Sequence, residues 1–316
     1  MDISQGLDAS VHERKAKARK QQFWMRLRAT SLAYTFLLPS FIGVLAFLLM
    51  PIVAVAVISF FNWNLLAGPH FVGLQNYDTL FHSSTIVGHS LLVTAYYVLL
   101  NIPAQTVLAL LLAALMNKKM RGMGVFRTIY VIPWMATPVA MGIVWQWIFD
   151  PQYGALNSFL GFFGLHGIAW LSTSQLAMPS IAAVNIWQYT GYNMLFFLAG
   201  LQSIPEELYE AAAIDGVSRV QAFFHVTLPL LRPTMFFVLV TAIIGSFQVF
   251  DTVYVMTQGG PGMATNTISF DIFRQAFVFF HAGYASALSM VLFAILLVVT
   301  LAQAFYFRKR TVYDLA

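Results

Sequence analysis

Six long apolar runs, separated by short polar segments, set the pattern of the chain. They lie at about 32–61, 86–116, 125–149, 177–202, 233–256 and 282–307. Each run reaches or approaches the roughly 20 residues that a helix needs to cross about 30 Å of hydrocarbon. The pattern predicts an all-α integral membrane protein with six transmembrane helices, whose internal prolines are tolerated where neighbouring helices satisfy the freed backbone groups.

The composition supports a membrane protein. Hydrophobic residues make up 59% of the 316 residues and charged residues 9%, whereas a soluble domain carries about 25% charged residues. The mean hydropathy is +0.74. The chain has no cysteine, which excludes a disulfide framework and a thiolate metal site.

Lysine and arginine are concentrated in alternate connecting segments. If the N-terminus lies in the cytoplasm, 16 of the 17 basic residues fall on the cytoplasmic side, in the segments 1–30, 117–127, 203–232 and 308–310. The remaining one, Arg274, falls outside. Because cytoplasmic loops carry an excess of Lys and Arg, this distribution predicts an N-in/C-in topology.

The predicted topology divides the chain into three parts. Residues 1–30 form a basic cytoplasmic tail, 31–310 form the six-span domain, and 311–316 form a second cytoplasmic tail. Apolar side chains are interleaved in the first tail, so it could lie on the membrane surface as an amphipathic helix. A tail that only sets the topology is the open alternative. The outer loops, at about 62–85, 150–176 and 257–281, are expected to cover the outer mouth or to meet an external partner.

The main polar interruption of the second half, residues 203–229, predicts two short helices joined at a glycine. Two capping boxes mark the helix starts, Ser203 with Glu206 and Ser218 with Gln221. Gly216 is expected to end the first helix, because glycine adopts the left-handed conformation after a helix most easily.

The second of these helices is expected to end at Leu228–Pro229, since proline interrupts a helix. Its apolar face contains Val220, Phe223 and Phe224. We expect this face to pack back onto the membrane spans.

The charge of residues 203–229 narrows down what the segment could contact. It carries four acidic residues and one basic residue: Glu206, Glu207, Glu210, Asp215 and Arg219. A DNA-binding helix-turn-helix also combines alanines with a glycine corner, but it needs positive charge against phosphates. An amphipathic linker lying on anionic lipid is disfavoured for the same reason. A protein partner in the cytoplasm is the favoured interpretation.

Several kinds of chemistry have no support in the sequence. No glycine is followed by lysine, so the chain lacks an ATP-binding P-loop. The glycine-rich stretch 258–262 is interpreted as a tight outer turn. The seven histidines show no i, i+3 or i, i+4 pairing, which disfavours a metal site. We therefore predict a protein that is not an enzyme and binds no cofactor itself.

Polar and aromatic side chains inside the apolar runs mark a candidate substrate pathway, because burying them in a membrane is costly. The candidates are Trp134, Asn185, Trp187, Gln188, Tyr192, Asn193, Ser246, Gln248 and Asp251. Aromatic rings stack on the C–H faces of a sugar, and amides and carboxylates exchange hydrogen bonds with its hydroxyls. The alternative for Asp251 is a position in the outer headgroup zone, since it lies about 27 Å along its run at 1.5 Å per residue.

At this point the sequence resembles a known family. The segment 210–229 resembles the EAA loop of binding-protein-dependent ABC importer permeases. It begins with Glu210-Ala211-Ala212, three residues separate these from Gly216, and nine more separate Gly216 from Val226 to Pro229. Further stretches are similar to the carbohydrate branch, whose members include the maltose and glycerol 3-phosphate permeases. These are FVGLQNY at 71–77, IPW at 132–134, NIWQY at 185–189, LQSIPEELYEAAAIDG at 201–216 and TQGGPG at 257–262.

The resemblance implies that residues 203–229 form a cytoplasmic coupling loop, between spans four and five, that docks in a cleft of an ATPase subunit. The coupling residues would be Glu210, Ala211, Ala212, Asp215, Gly216, Leu228 and Pro229. The partner ATPase would bind ATP and Mg²⁺, and this chain would bind no cofactor. The implied assembly contains a second homologous permease, two ATPases and an external solute-binding protein in a prokaryotic cell membrane. ATP-driven closure of the ATPases would switch the spans between inward- and outward-open states.

The resemblance also implies sugar contacts. By position in the family pattern, Asn185, Trp187 and Tyr192 match sugar-contacting residues, and Trp134 matches an aromatic residue after the proline of span three. Ser246 and Gln248 depart from the pattern, which has asparagines in this part of span five. The substrate is expected to be a neutral di- or oligosaccharide or an amino sugar, because Arg274 is the single nearby outer cation for a phosphate.

Two alternatives remain to be weighed. A secondary transporter or channel that works without an ATPase would carry ion-coupling acids in mid-membrane, and Asp251 is the one candidate. An exporter-type permease is disfavoured, because the EAA loop belongs to importers.

Overall fold

The computed structural model describes residues 34–118 and 120–308, apart from the side chain of Ser83. The predicted tails at 1–30 and 311–316 lie outside this part of the chain. The chain divides into two units, Met1–Val57 and Ile58–Ala316. The described part of the first unit belongs to helix α1 (Tyr34–Ile58), whose last residue is the first of the second unit and which is apolar along its 25 residues. A π-helical segment, Leu45–Leu49, lies within it.

The second unit is almost entirely helical. Its one small sheet pairs β1 (Phe61–Asn62) with β2 (His70–Phe71) in antiparallel register. The helices of its first half are α2 (Gln75–Asp78), α3 (Thr85–Met116), α4 (Met123–Met135), α5 (Pro138–Ile148), α6 (Ala155–Phe162) and α7 (Ser174–Gln202). Those of its second half are α8 (Glu206–Ile214), α9 (Arg219–Ala222), α10 (Leu228–Leu230), α11 (Arg232–Phe247), α12 (Asp251–Met256), α13 (Ile268–Phe273) and α14 (Ala282–Arg308). Short π-helical segments occupy Thr79–Ser83, Phe223–Thr227 and Arg274–Val278.

Within the described ranges, four helical segments are long and apolar enough to cross a membrane: α1, α3, α11 with α12, and α14. The bent pair α4 and α5 makes a fifth if it is counted as one span. Helix α7 is 29 residues long but is not among them. Its amide and hydroxyl side chains, several of which are buried, make it less apolar than the other long helices. The prediction of an all-α membrane protein is confirmed, and the six-span count and the orientation stay predictions.

The third predicted span, 125–149, is not one straight helix. Helices α4 and α5 meet at an angle of 95°. The break lies at Ala136 and Thr137, which are both extended, directly before Pro138. Proline disfavours the helical conformation in the residue before it, so the chain turns here. Thr137 then caps α5 by accepting a hydrogen bond from the backbone N–H of Ala140 at 3.4 Å.

Helix α7 lies at the centre of the second unit. It packs mainly against α3 and also against α4. Its large side chains Met194 and Phe197 are fully buried, in a cluster that also contains the fully buried Ala109 and Ala113 of α3. Small residues let helix backbones approach closely in membrane proteins. This close packing around α7 explains why a polar helix can lie inside the unit.

The closest approach to α7 occurs at Gly191, where a Cβ atom would overlap the backbone carbonyl of Tyr130 in α4. Gly191→Val should therefore force the two helices apart and lower the free energy of unfolding by about 1–3 kcal/mol or more. The measurement is the thermal unfolding midpoint of the purified protein in detergent. Gly88→Val in α3 is the control, because no heavy atom lies within 4 Å of a Cβ there. Equal midpoints for the two variants would contradict this packing.

Candidate functional site: a polar cavity and an exposed helical loop

A polar cavity of about 210 Å³ lies between α3, α7, α11 and α12. Amides, hydroxyls and aromatic rings dominate its wall. The lining residues are Tyr97, Asn101, Gln105, Pro138, Asn185, Tyr189, Tyr192, Asn193, Thr241, Ala242, Gly245, Ser246, Gln248, Val249, Phe250, Asp251 and Thr252. Such a wall offers hydrogen bonds in several directions and flat apolar faces between them.

Helix α3 supplies one side of the cavity. Tyr97, Asn101 and Gln105 are spaced four residues apart, so they share one face of the helix. All three are buried. The Asn101 side-chain N–H donates to Ser246 Oγ at 2.9 Å, while its Oδ1 atom is buried and meets no hydrogen-bond donor among the described residues. A buried acceptor without a donor is costly, so a ligand hydroxyl or a water that donates to it would be stabilised.

Helix α7 supplies the opposite side. Asn185 Nδ2 donates to Thr252 Oγ1 at 3.0 Å and to the Ile181 carbonyl at 3.1 Å. These bonds fix the amide at the cavity wall. The ring of Tyr192 stacks on Trp134 of α4, with centroids 4.3 Å apart and an interplanar angle of 13°. This stacking holds the two rings in one orientation.

A break between α11 and α12 forms the third side. Helix α11 ends at Phe247 and α12 begins at Asp251. The residues between them, including Gln248, line the cavity with Asp251. Asp251 is the one charged residue among the described residues of the wall. A second acid, Asp271, lies outside the cavity in α13, where burial raises the pKa of its carboxyl group.

The second candidate site is the segment 203–229. Its first helix, α8, ends in a left-handed Gly216 with φ of +75°. The Gly216 N–H donates to the Ala213 carbonyl at 3.1 Å, and the Val217 N–H donates to the Ala212 carbonyl at 2.9 Å. This pair of bonds is the Schellman arrangement, which satisfies the last carbonyls of the helix. The predicted glycine corner is confirmed.

The start of α9 also follows its prediction. The Ser218 side chain accepts from the Gln221 N–H at 3.3 Å, and the Gln221 side chain accepts from the Ser218 N–H at 3.0 Å. Both halves of the capping box are present. The two halves of the segment are tied together by a hydrogen bond of 2.9 Å between the hydroxyls of Tyr209 and Thr227.

Two local predictions for this segment are wrong. Ser203 does not cap α8, because the helix begins at Glu206 and Pro205 is the residue before it. The Ser203 hydroxyl instead donates to the Gly200 carbonyl at 2.8 Å. Pro229 does not end the second helix, which continues as a π-helical turn and then as α10 to Leu230. Pro229 is the second residue of α10, directly after the π-helical turn Phe223–Thr227.

The segment exposes a set of apolar side chains. Ile214 is 86% exposed, Val220 67% and Phe224 56%. Val220 and Phe224 therefore do not pack back onto the spans as predicted, although Phe223 is half-buried. The corner and the capping box set the directions of α8 and α9, and this leaves the two side chains outside. Large exposed apolar groups on a well-ordered segment are typical of a protein-docking surface.

Comparison with known proteins places the chain in a family. Residues 105–312 match the family described as binding-protein-dependent transport system inner membrane component. The chain belongs to this family. The probable ABC transporter permease protein YesP of Bacillus subtilis is 37% identical to this permease over 280 residues, which are 87% of the permease and 90% of the relative.

Two further comparisons agree. The trehalose/maltose transport system permease protein MalF of Thermococcus litoralis is 34% identical over 281 residues, which are 88% of this permease and 94% of that protein. A solved bacterial ABC transporter involved in the import of the acidic polysaccharide alginate has the same fold. Its TM-score is 0.81 at 24% identity, over 92% of this permease and 100% of that chain. The resemblance to importer permeases and the prediction of a transport subunit rather than an enzyme are confirmed.

Six of the predicted pathway residues of the permease line the polar cavity: Asn185, Tyr192, Asn193, Ser246, Gln248 and Asp251. Trp134 lies behind Tyr192 and supports it. Gln188 is buried beside the α4–α5 break, where its Nε2 donates to the Ala136 carbonyl at 3.1 Å. Trp187 lies away from the wall, with its ring edge-on to Trp145 at 5.4 Å.

The α3 side of the cavity was not predicted from the sequence. Its residues Tyr97, Asn101 and Gln105 lie inside a run treated as an ordinary apolar span. A signal was present, because Ser90 and Thr94 extend the same polar stripe toward the N-terminal end of α3. Ser90 Oγ accepts from Asn266 at 2.7 Å. The stripe therefore anchors the loop that contains Asn266 at one end and lines the cavity at the other.

Proposed function

We propose that this permease moves a sugar or related polyol, a neutral di- or oligosaccharide or an amino sugar, into the cytoplasm through the polar cavity. The observation that carries this proposal is the composition of the wall, which combines amides, hydroxyls and aromatic rings. These groups recognise hydroxyls and C–H faces. The 34% identity to a trehalose/maltose permease supports the same substrate class.

The charge of the wall supports a substrate without negative charge. Asp251 is an acid, and no Lys, Arg or His is found among the described residues that line the cavity. An anionic sugar would lose its hydration on entering the cavity and would be repelled by the Asp251 carboxylate, so its binding is disfavoured. A hydroxyl or an ammonium group would instead find a hydrogen-bond acceptor.

The proposal extends to the partners. The segment 203–229 is the coupling loop, and its exposed side chains dock into a cleft of a cytoplasmic ATPase, which binds ATP and Mg²⁺. A second homologous permease and an external solute-binding protein complete the assembly. The permease has six spans in an N-in/C-in topology in a prokaryotic cell membrane. Helix α7 is the fourth span, which the apolar run at 177–202 predicts, and it is enclosed by its neighbours.

The substrate class is tested with the assembled transporter in proteoliposomes. Uptake of neutral disaccharides, neutral oligosaccharides and amino sugars is compared with uptake of sn-glycerol 3-phosphate and uronate oligosaccharides. We expect ATP-driven uptake of at least one neutral or amino sugar and none of the anions. Uptake confined to the anions would overturn the proposed substrate class.

Asp251→Asn should change the selectivity of the permease more than its rate. Removing the carboxylate removes charge repulsion, so the preference for neutral over anionic sugars should narrow by about tenfold, which corresponds to about 1.4 kcal/mol. Uptake of an amino sugar should fall. The measurement is the ratio of initial uptake rates, with Asp150→Asn as the control because Asp150 lies outside the cavity. An unchanged ratio in Asp251→Asn would remove Asp251 from the pathway.

A further inference from the structure

The segment between α5 and α7 has an unusual surface. After Asp150 the chain contains no Asp, Glu, Lys or Arg until Glu206. Within this uncharged stretch, helix α6 presents an aromatic patch made of Phe159, Phe162 and Phe163. Phe162 is 85% exposed and Phe163 62%. A charge-free loop with this much exposed aromatic surface is poorly suited to bulk water.

Helix α6 is amphipathic. Leu156 packs against the core cluster that contains Phe149, and Asn157 is buried. The aromatic patch lies on the other side, with ring centroids 5.1 Å apart for Phe159 and Phe163 and 5.5 Å apart for Phe162 and Phe163. Both contacts are edge to face, so the three rings form one continuous surface.

The patch is held rigidly. Asn157 Nδ2 donates to the carbonyls of Pro151 at 3.1 Å and Ile168 at 2.9 Å. Asn157 Oδ1 accepts from Trp170 Nε1 at 2.9 Å and from the Ile168 N–H at 3.1 Å. One buried amide thus closes the loop on both sides of α6. The exposure of the rings is therefore a property of an ordered element.

The position of α6 relative to the membrane follows from the helices that flank it. A tight turn joins it to α5, one leg of the bent membrane pair, and the Gly154 N–H donates to the Asp150 carbonyl at 3.1 Å in this turn. Helix α7 follows, and its 29 residues correspond to about 43 Å at 1.5 Å per residue. Helix α6 therefore lies at the end of α7 that is remote from the coupling loop, close to where the apolar helices leave the membrane.

We propose that α6 lies in the plane of the outer membrane surface, with the aromatic patch inserted at the boundary between lipid headgroups and acyl chains. Aromatic side chains prefer this zone, and amphipathic helices lie along it with their apolar face buried. The absence of charge fits lipid better than a protein partner, whose docking site would have a polar rim. It also means that zwitterionic lipid is sufficient. This inference goes beyond the transport function and assigns α6 as a lateral anchor beside the bent pair.

The chain contains no cysteine, so a single label can be placed on the patch. Phe162→Cys carries a spin label in the full assembly, in phosphatidylcholine nanodiscs, with partner subunits that have no cysteine. Collision rates with oxygen, which enters lipid, are compared with those of a water-soluble nickel chelate. Gln152→Cys, on the exposed polar part of the same loop, is the control, and Phe159→Cys is a second site on the patch.

We expect oxygen to be preferred several-fold more at positions 162 and 159 than at position 152. A preference for the nickel chelate at the patch would show that it faces water and would overturn the proposal. Protection from both reagents would show that another protein covers the patch, which would overturn it as well. Variants are compared only where ATP-driven uptake is retained, so that misfolding is separated from a change in depth.

Discussion

Gly216→Val is expected to abolish ATP-driven uptake while the membrane helices stay folded. Gly216 has a φ of +75°, a conformation that costs an L-residue about 1–2 kcal/mol and that is rarer still for a β-branched side chain. Valine would shift the corner between α8 and α9 and turn the exposed side chains of Ile214 and Val220 away from one another. The measurements are uptake into proteoliposomes and retention of the ATPase subunits during purification.

Two further variants make this prediction specific. Gly216→Asn should retain most activity, because asparagine tolerates the left-handed conformation. Gly164→Val introduces the same strain at the end of α6, where φ is +73°, and should retain the ATPases. Normal uptake by Gly216→Val, or equal loss of ATPase binding in Gly164→Val, would contradict the assignment of residues 203–229 as the coupling loop.

Gly245→Trp is expected to stop uptake by filling the polar cavity. Gly245 lines the cavity, and no heavy atom lies within 4 Å of a Cβ placed there. An indole, comparable in size to a sugar ring, can therefore enter without displacing the backbone. Uptake should fall at least about tenfold, a loss of about 1.4 kcal/mol or more in transport efficiency, while the ATPases remain bound.

The matched control is Gly88→Trp. Gly88 also has open space at its Cβ position and lies in α3, outside the cavity wall. It should transport at close to the normal rate. If Gly245→Trp transported as well as Gly88→Trp, the cavity would not be the substrate pathway.

The sequence predicted local structure best where a single residue determines the backbone conformation. The corner at Gly216 and the capping box of Ser218 and Gln221 depend on nearest neighbours, and both appear as predicted. The box at Ser203 failed because α8 begins at Glu206, after Pro205, so Ser203 lies too far before the helix to cap it. Its hydroxyl donates to the Gly200 carbonyl near the end of α7 instead.

The features that the sequence did not reveal depend on which helices meet. The run 125–149 was predicted as one span, although Pro138 disfavours a helical conformation at Thr137. The size of the bend, 95°, follows from the extended conformations of Ala136 and Thr137. The cavity wall of α3 is polar only when Tyr97, Asn101 and Gln105 are taken as one face. Their role becomes clear once α7 and α11 close the space opposite them. Exposure of Val220 and Phe224 likewise depends on the directions of α8 and α9.

The most direct test of the central claim is the energy source of transport. The permease, its homologous partner, the two ATPases and the solute-binding protein are reconstituted in proteoliposomes, and sugar uptake is measured with and without ATP on the ATPase side. We predict uptake that requires both ATP and the ATPases and does not respond to a proton or sodium gradient. Uptake by the permeases alone, driven by an ion gradient, would contradict this account and would favour a secondary transporter that uses Asp251.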